Sequence, residues 1–190
     1  IPISIDTTKA LVAQAALDAG ADIVNDISAL RKDPAMLEVV YKTDQPVIIM
    51  HMQGNPGDMQ INSEYDAVVE EICAFFQART AWMMEEGIDR ERIILDPGIG
   101  FGKTLDHNLA ILRNIARFKA LGFPVLIGHS RKSFMEKLLG LSLEERDSPT
   151  AVISAFCARQ GADILRVHDV GKTVAAVRLA EVFASTGIPT

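Results

Sequence analysis

Short runs of β-branched and aliphatic residues alternate along the chain with longer segments in which apolar residues recur every three or four positions. The short runs predict strands at 3–6, 22–26, 46–51, 92–96, 124–129 and 163–168. Between them, the spacing of Leu11, Ala15 and Leu17, and of Leu109, Leu112, Ile115 and Ala116, predicts helices. Gly20, Gly87, Gly122 and Gly161 each close a helical segment just ahead of a strand, the usual place of a left-handed C-cap. This alternation predicts a parallel α/β sheet. A short internal echo, Ala19-Gly20-Ala21-Asp22-Ile23 against Gln160-Gly161-Ala162-Asp163-Ile164, fits a fold of equivalent βα units. Period-two alternation then sends Ile23 and Asn25 to one face of their strand, and Ile164, Arg166 and His168 to one face of theirs.

Six strands in 190 residues give about 32 residues per βα unit, close to the spacing of a TIM barrel, which uses ~250 residues for eight. An open doubly wound sheet is the competing architecture. It usually carries a phosphate loop after its first strand, whereas Asp6-Thr7-Thr8-Lys9 has no glycine. Five predicted strands end in ionisable groups, Asp6, Asp26, His51, Asp96 and His168, with Arg131 and Lys132 just beyond the sixth. A barrel gathers such groups on its C-terminal rim. The expectation is one domain over 1–190, an α/β TIM (β/α)8 barrel with about six of its eight units present. The chain opens on Ile1-Pro2-Ile3, without an initiator Met or a signal-peptide pattern, and reads as though entered partway through the fold.

Composition narrows the class. With 48% hydrophobic residues the chain can bury a core, so disorder is excluded. Its longest unbroken apolar stretches, such as Val47–Met50, fall well short of the ~20 residues of a membrane span. Twenty-five acidic against nineteen basic residues, a net charge of −6, argue against a nucleic-acid coat. Cys73 and Cys157, far apart in helical segments, read as buried free thiols in a reducing cytosol.

Three motifs carry chemistry. In Leu95-Asp96-Pro97-Gly98-Ile99-Gly100-Phe101-Gly102-Lys103 a strand ends on a carboxylate and a glycine-rich loop lets backbone approach a ligand. Its spacing is not that of a Walker A loop, and an ordinary βα loop with a capping Asp remains open. Gly128-His129-Ser130-Arg131-Lys132-Ser133-Phe134 sets cations and hydroxyls at a helix start, suited to an anion. The alternative there is that Ser130 caps the helix while Arg131 and Lys132 are solvated. Arg166-Val167-His168-Asp169 points two ionisable groups to one face, which suits a bound anion or a solvated edge strand.

Together, Asp6 and Asp96 suit a ligand edge carrying N–H donors, Asn25 both donates and accepts, and Lys132 only donates. Met52 and Phe101 offer apolar faces to a flat ring, and Arg166 and His168 suit an anion. No nucleophilic Ser/His/Asp or Cys/His pair and no metal-ligand cluster is visible. The inventory describes a flat, donor-rich heterocycle attached to an anionic group.

Ser4-Ile5-Asp6-Thr7, Val24-Asn25-Asp26, Met50-His51-Met52-Gln53-Gly54-Asn55-Pro56, the 96–103 loop, Ser130-Arg131-Lys132-Ser133 and Arg166-Val167-His168-Asp169 together closely resemble dihydropteroate synthases of folate biosynthesis. The resemblance implies a TIM barrel that condenses 6-hydroxymethyl-7,8-dihydropterin diphosphate with 4-aminobenzoate and releases diphosphate. It implies that Asp6, Asn25, Asp96 and Lys132 line a pterin pocket with Met52 as a wall, that Arg166 and His168 hold diphosphate, and that Phe101 and Ser133 line the aminobenzoate site. Lys132, Arg166 and His168 would carry the catalysis.

The resemblance further implies Mg²⁺ bound through an Asn ahead of Ile1, a cytoplasmic homodimer using helices near 150–160 and 172–185, small-molecule substrates, and neither nucleic acid nor membrane as partner. Ile99 stands where many members carry an aromatic residue, and the family's first two βα units have no counterpart before Ile1. Two other readings stay open: a pterin-binding methyltransferase of related barrel fold, and an inactive pterin-binding fragment.

Overall fold

Among the described residues the aliphatic runs form six strands: β1 (Ser4–Asp6), β2 (Ile23–Asp26), β3 (Val47–Met50), β4 (Ile93–Asp96), β5 (Leu126–Ile127) and β6 (Ile164–Leu165). Among the described residues eight α-helices lie between and after them: α1 (Ala10–Asp18), α2 (Met36–Tyr41), α3 (Val68–Glu85), α4 (Leu105–Arg113), α5 (Ile115–Lys119), α6 (Phe134–Leu139), α7 (Asp147–Arg159) and α8 (Val170–Ala184). The structure is a computed structural model and describes residues 1–53 and 65–184.

Strands β1 to β4 pair in chain order, β5 pairs with β6, and a bridge between Leu95 and Val125 joins the two groups. Every pairing is parallel. Six strands in sequence order with helices between them make an arc of a barrel, as expected from the residues. Among the described residues, β1 and β6 each have a strand neighbour on one side only.

Alternation sorts the side chains into two layers. Ile23, Ile48, Ile94, Leu126 and Ile164, one each from β2 to β6, form a small apolar cluster on the inner face. Val24, Val47, Ile49, Leu95, Val125 and Ile127 point the other way into the main core, against Ile72, Phe76, Met83, Ile111 and Phe118 of the helices. Two positions beyond the inner cluster come Asn25, Asp96, Gly128 and Arg166, and the β1–β2 register sets Asp6 beside Asn25. The polar layer therefore rests on an apolar floor.

Several sequence expectations need correction. β5 and β6 are shorter than 124–129 and 163–168, because the residues after Ile127 and Leu165 leave the sheet to build the site. Helix α1 buries Ala10 and Ala13, while Leu11 and Ala15 are exposed. The pattern over 109–116 is broken at Asn114, which ends α4 and starts α5, and its amide Nδ2 donates to the Ala110 carbonyl. Cys157 is buried, but Cys73 is only half-buried. Burial pushes the Cys157 thiol up to about 12. The expected C-cap glycines Gly20, Gly87, Gly122 and Gly161 do take left-handed conformations.

Candidate active site

Asp96 ends β4 on the inner face and is buried. The Gly98 N–H donates to its Oδ1 at 2.8 Å. Burial pushes the carboxyl up to about 6, opposed in part by that N–H and by Lys103, Lys132 and Arg166. Gly98 has φ +72°, and a Cβ there would stand 2.1 Å from the His51 carbonyl oxygen, so this turn requires glycine. Lys103 reaches back beneath the loop. Its Nζ donates to the carbonyls of His51 (3.2 Å) and Phe101 (3.0 Å), which ties the end of β3 to the glycine-rich turn. Burial pulls the Lys103 ammonium down to about 7, against the pull of Asp96. The Gly100 N–H donates to Asn108 Oδ1 at 2.7 Å, and a capping box between Thr104 and His107 starts α4.

The turn after β5 distributes three neighbouring side chains in three directions. Arg131 takes φ +57°, and its guanidinium makes two bonds to Asp147, of 2.7 and 2.8 Å. Ser130 Oγ lies 2.8 Å from His168 Nδ1 and accepts the His168 backbone N–H at 3.1 Å. Lys132 sets its Nζ 4.3 Å from the centre of the Phe101 ring, a cation–π contact. Burial lowers the Lys132 pKa, against the pull of Asp96. Ser130 is thus not a helix cap: α6 starts at Phe134 after Ser133, which makes no side-chain capping bond. Arg131 is partly exposed to solvent but is not free for an anion, because Asp147 holds it. His129, fully buried, sits with Nε2 3.0 Å from the Thr150 carbonyl and 3.1 Å from Ser154 Oγ.

Gly128, Ser130, Lys132, Arg166, Val167 and His168 line a cavity of about 320 Å³. Arg166 donates to Asp6 Oδ2 at 2.7 Å, so the two ends of the strand arc meet at the rim. A second cavity, about 170 Å³, lies between α4 and α6 and is lined by Gly100, Lys103, Asn108, Ser133, Phe134 and Lys137 among others. Asn25 is buried with its Oδ1 unpartnered, an acceptor aimed at no protein donor. Met52 is buried, and its carbonyl accepts from Arg31 at 3.1 Å.

Two strand-end groups do not join the rim chemistry. Asp26 is fully buried and accepts from the Ser28 N–H, the Ser28 hydroxyl and the Leu30 N–H, which shapes the β2–α2 loop. His51 packs edge-on against Phe75 at 4.9 Å, and burial drives its pKa down to about 3, so it stays neutral. Gly54, Asn55 and Pro56 of its motif, and Ser185 of the late-helix segment, lie outside the described residues. Lys103, Asn108 and Asp147 were not singled out from sequence. A lysine at the end of a glycine loop and an Asp ahead of Ser148-Pro149 at a helix start were the available signals. Among the described residues no group of three His, Cys, Asp or Glu side chains could hold a metal ion, and no helix is long and apolar enough to cross a membrane.

Comparison with known proteins agrees with this geometry. Dihydropteroate synthase of Synechocystis is 47% identical over 171 residues, covering 90% of this chain and 59% of that protein. The chain thus spans about three-fifths of the length of that curated relative. A crystal structure of Yersinia pestis dihydropteroate synthase with a sulfonamide drug complex superposes with TM-score 0.94 at 39% identity, over 98% of this chain and 68% of that one. Dihydropteroate synthase from Anaplasma phagocytophilum with bound 6-hydroxymethylpterin-monophosphate superposes with TM-score 0.88 at 40% identity, over 97% and 69%. The model of the family described as pterin binding enzyme matches residues 1–168, every strand and the whole polar rim, and to that family this chain belongs.

Proposed function

We propose that the protein carrying this chain is a dihydropteroate synthase. The observation that carries the reading is one polar layer joining two kinds of subsite: a buried carboxylate and amide, Asp96 and Asn25, beside a cavity edged by Lys132, Arg166 and His168. Asp96 and the free Oδ1 of Asn25 accept from the N–H edge of a dihydropterin, and Lys132 donates to its acceptors. Asp6 adds a second carboxylate once Arg166 turns from it. That ion pair is exposed and weak, so a diphosphate competes for Arg166 readily. Met52 walls the pterin, and Phe101 and Ser133, near the 170 Å³ cavity, serve the aminobenzoate.

The reaction needs no protein nucleophile. The C–O bond between the pterin methylene and diphosphate breaks, and the diphosphate leaves with the electron pair. The 4-aminobenzoate nitrogen bonds to the methylene and loses a proton, giving dihydropteroate. The side chains hold the developing cation and the departing anion in place. Mg²⁺ is the ion the family implies, and the described residues offer no acidic cluster for it. A homodimer built on α7 and α8 and a cytoplasmic setting complete the reading. Lys132→Ala in the whole protein should cut diphosphate release at least about a hundredfold. Near-normal turnover, or methyl transfer from a methylated pterin without diphosphate release, would overturn the assignment.

A further inference from the structure

We infer that Ser130 is a positioning residue that fixes the tautomer of His168, so that the imidazole presents Nε2–H to the anion cavity. The inference rests on the function proposed above. A serine hydroxyl has one proton and two lone pairs. One lone pair of Ser130 Oγ takes the His168 backbone N–H at 3.1 Å. The imidazole Nδ1 lies 2.8 Å away. If Nδ1 carried the proton it would use the second lone pair and leave the hydroxyl proton without a protein acceptor, since among the described residues Ser130 Oγ, only 7% exposed, makes no other bond. The arrangement that satisfies every group from within the protein has the hydroxyl donating to Nδ1.

Neutral His168 then carries its proton on Nε2, across the ring, beside the cavity that His168 lines together with Lys132 and Arg166. Ser130 thus turns an imidazole that could offer either a lone pair or a proton into a dedicated donor, the form an anion requires. Arg131 and Asp147 make this possible. Their paired bonds and the left-handed backbone at Arg131 keep Ser130 facing β6 rather than α6.

The test uses the chain with whatever natural sequence flanks it, labelled with ¹⁵N-histidine, at about pH 8. Long-range nitrogen–proton correlation should report His168 as protonated at Nε2, and Ser130→Ala should yield a tautomer mixture. Calorimetry with inorganic diphosphate as the probe should show Ser130→Ala weakening binding about tenfold while 6-hydroxymethylpterin binds as before, and Ser130→Thr should restore most of the loss. In a His168→Gln background, where the amide supplies a donor without help, Ser130→Ala should cost less than threefold.

A wild-type His168 protonated at Nδ1, or an undiminished diphosphate affinity in Ser130→Ala, would overturn the inference while leaving the proposed function intact. If the tautomer and diphosphate data hold but no dihydropteroate forms, the proposed function falls and the role of Ser130 in anion binding stands.

Discussion

The residue with the most divided task is Asp96. It must be ionised to accept from a pterin, yet it is buried on an apolar floor of Ile94 and Leu126. With its pKa pushed up to about 6, the carboxylate form grows as pH rises through that value. Since the native pKa lies above the ordinary carboxyl value, burial of this charge costs stability progressively between about pH 4 and pH 6. Affinity for 6-hydroxymethylpterin should rise over the upper part of that window and level off above about pH 7, measured by calorimetry. Asp96→Asn should abolish the rise and lower affinity roughly a hundredfold. Lys103 belongs to the same balance. Its Nζ satisfies two carbonyls under the turn, so Lys103→Met removes a favourable charge and two backbone anchors at once.

At the scale of elements, the β5–α6 turn decides whether the site exists. Three consecutive residues with similar polar character take three unrelated partners: Ser130 takes His168, Arg131 takes Asp147, and Lys132 takes the Phe101 face. The left-handed backbone at Arg131 makes that divergence possible, and Asp147 at the start of α7 holds it. Asp147→Ala should therefore reduce turnover about tenfold although it is not among the residues that line the 320 Å³ cavity. Arg131→Gly, which accepts φ +57° without strain, should cost less. Equal losses in the two variants, read from steady-state rates, would show that the paired bonds and not the backbone geometry set the turn.

On the scale of the whole molecule, α7 and α8 pack together and leave Val152 and Phe156, and Leu179 and Phe183, each pair at i,i+4 spacing and more than half exposed. Phe183 is 85% exposed. Large apolar side chains repeated along one helix stripe suit the homodimer proposed above. Phe156→Glu should convert a dimer to a monomer in sedimentation velocity while α7 stays folded, since Phe156 is outside the core. A monomeric wild type would remove the dimer from the proposed function.

The barrel arc and its polar rim were legible because their causes are local. β-branched runs at regular spacing, glycines closing helices and ionisable residues at five predicted strand ends are read through backbone sterics and period-two alternation. Asn25 and Arg166 stand on the inner face as alternation implies, Asp6 lies beside Asn25 and pairs with Arg166, and Lys132, Arg166 and His168 line one cavity. Asp26 and His51 looked identical to them in sequence, because a strand end does not reveal which way the chain turns next.

Tertiary structure alone decided the partners. Ser130 and His168 are 38 residues apart, Arg131 and Asp147 sixteen, Lys103 and His51 fifty-two, and Arg166 and Asp6 one hundred and sixty. A hydrogen bond of 2.8 Å between side chains so distant depends on the packing of whole βα units. The sequence determined which groups stand on the rim; the fold decided which of them are held by a neighbour and which are left to meet a ligand.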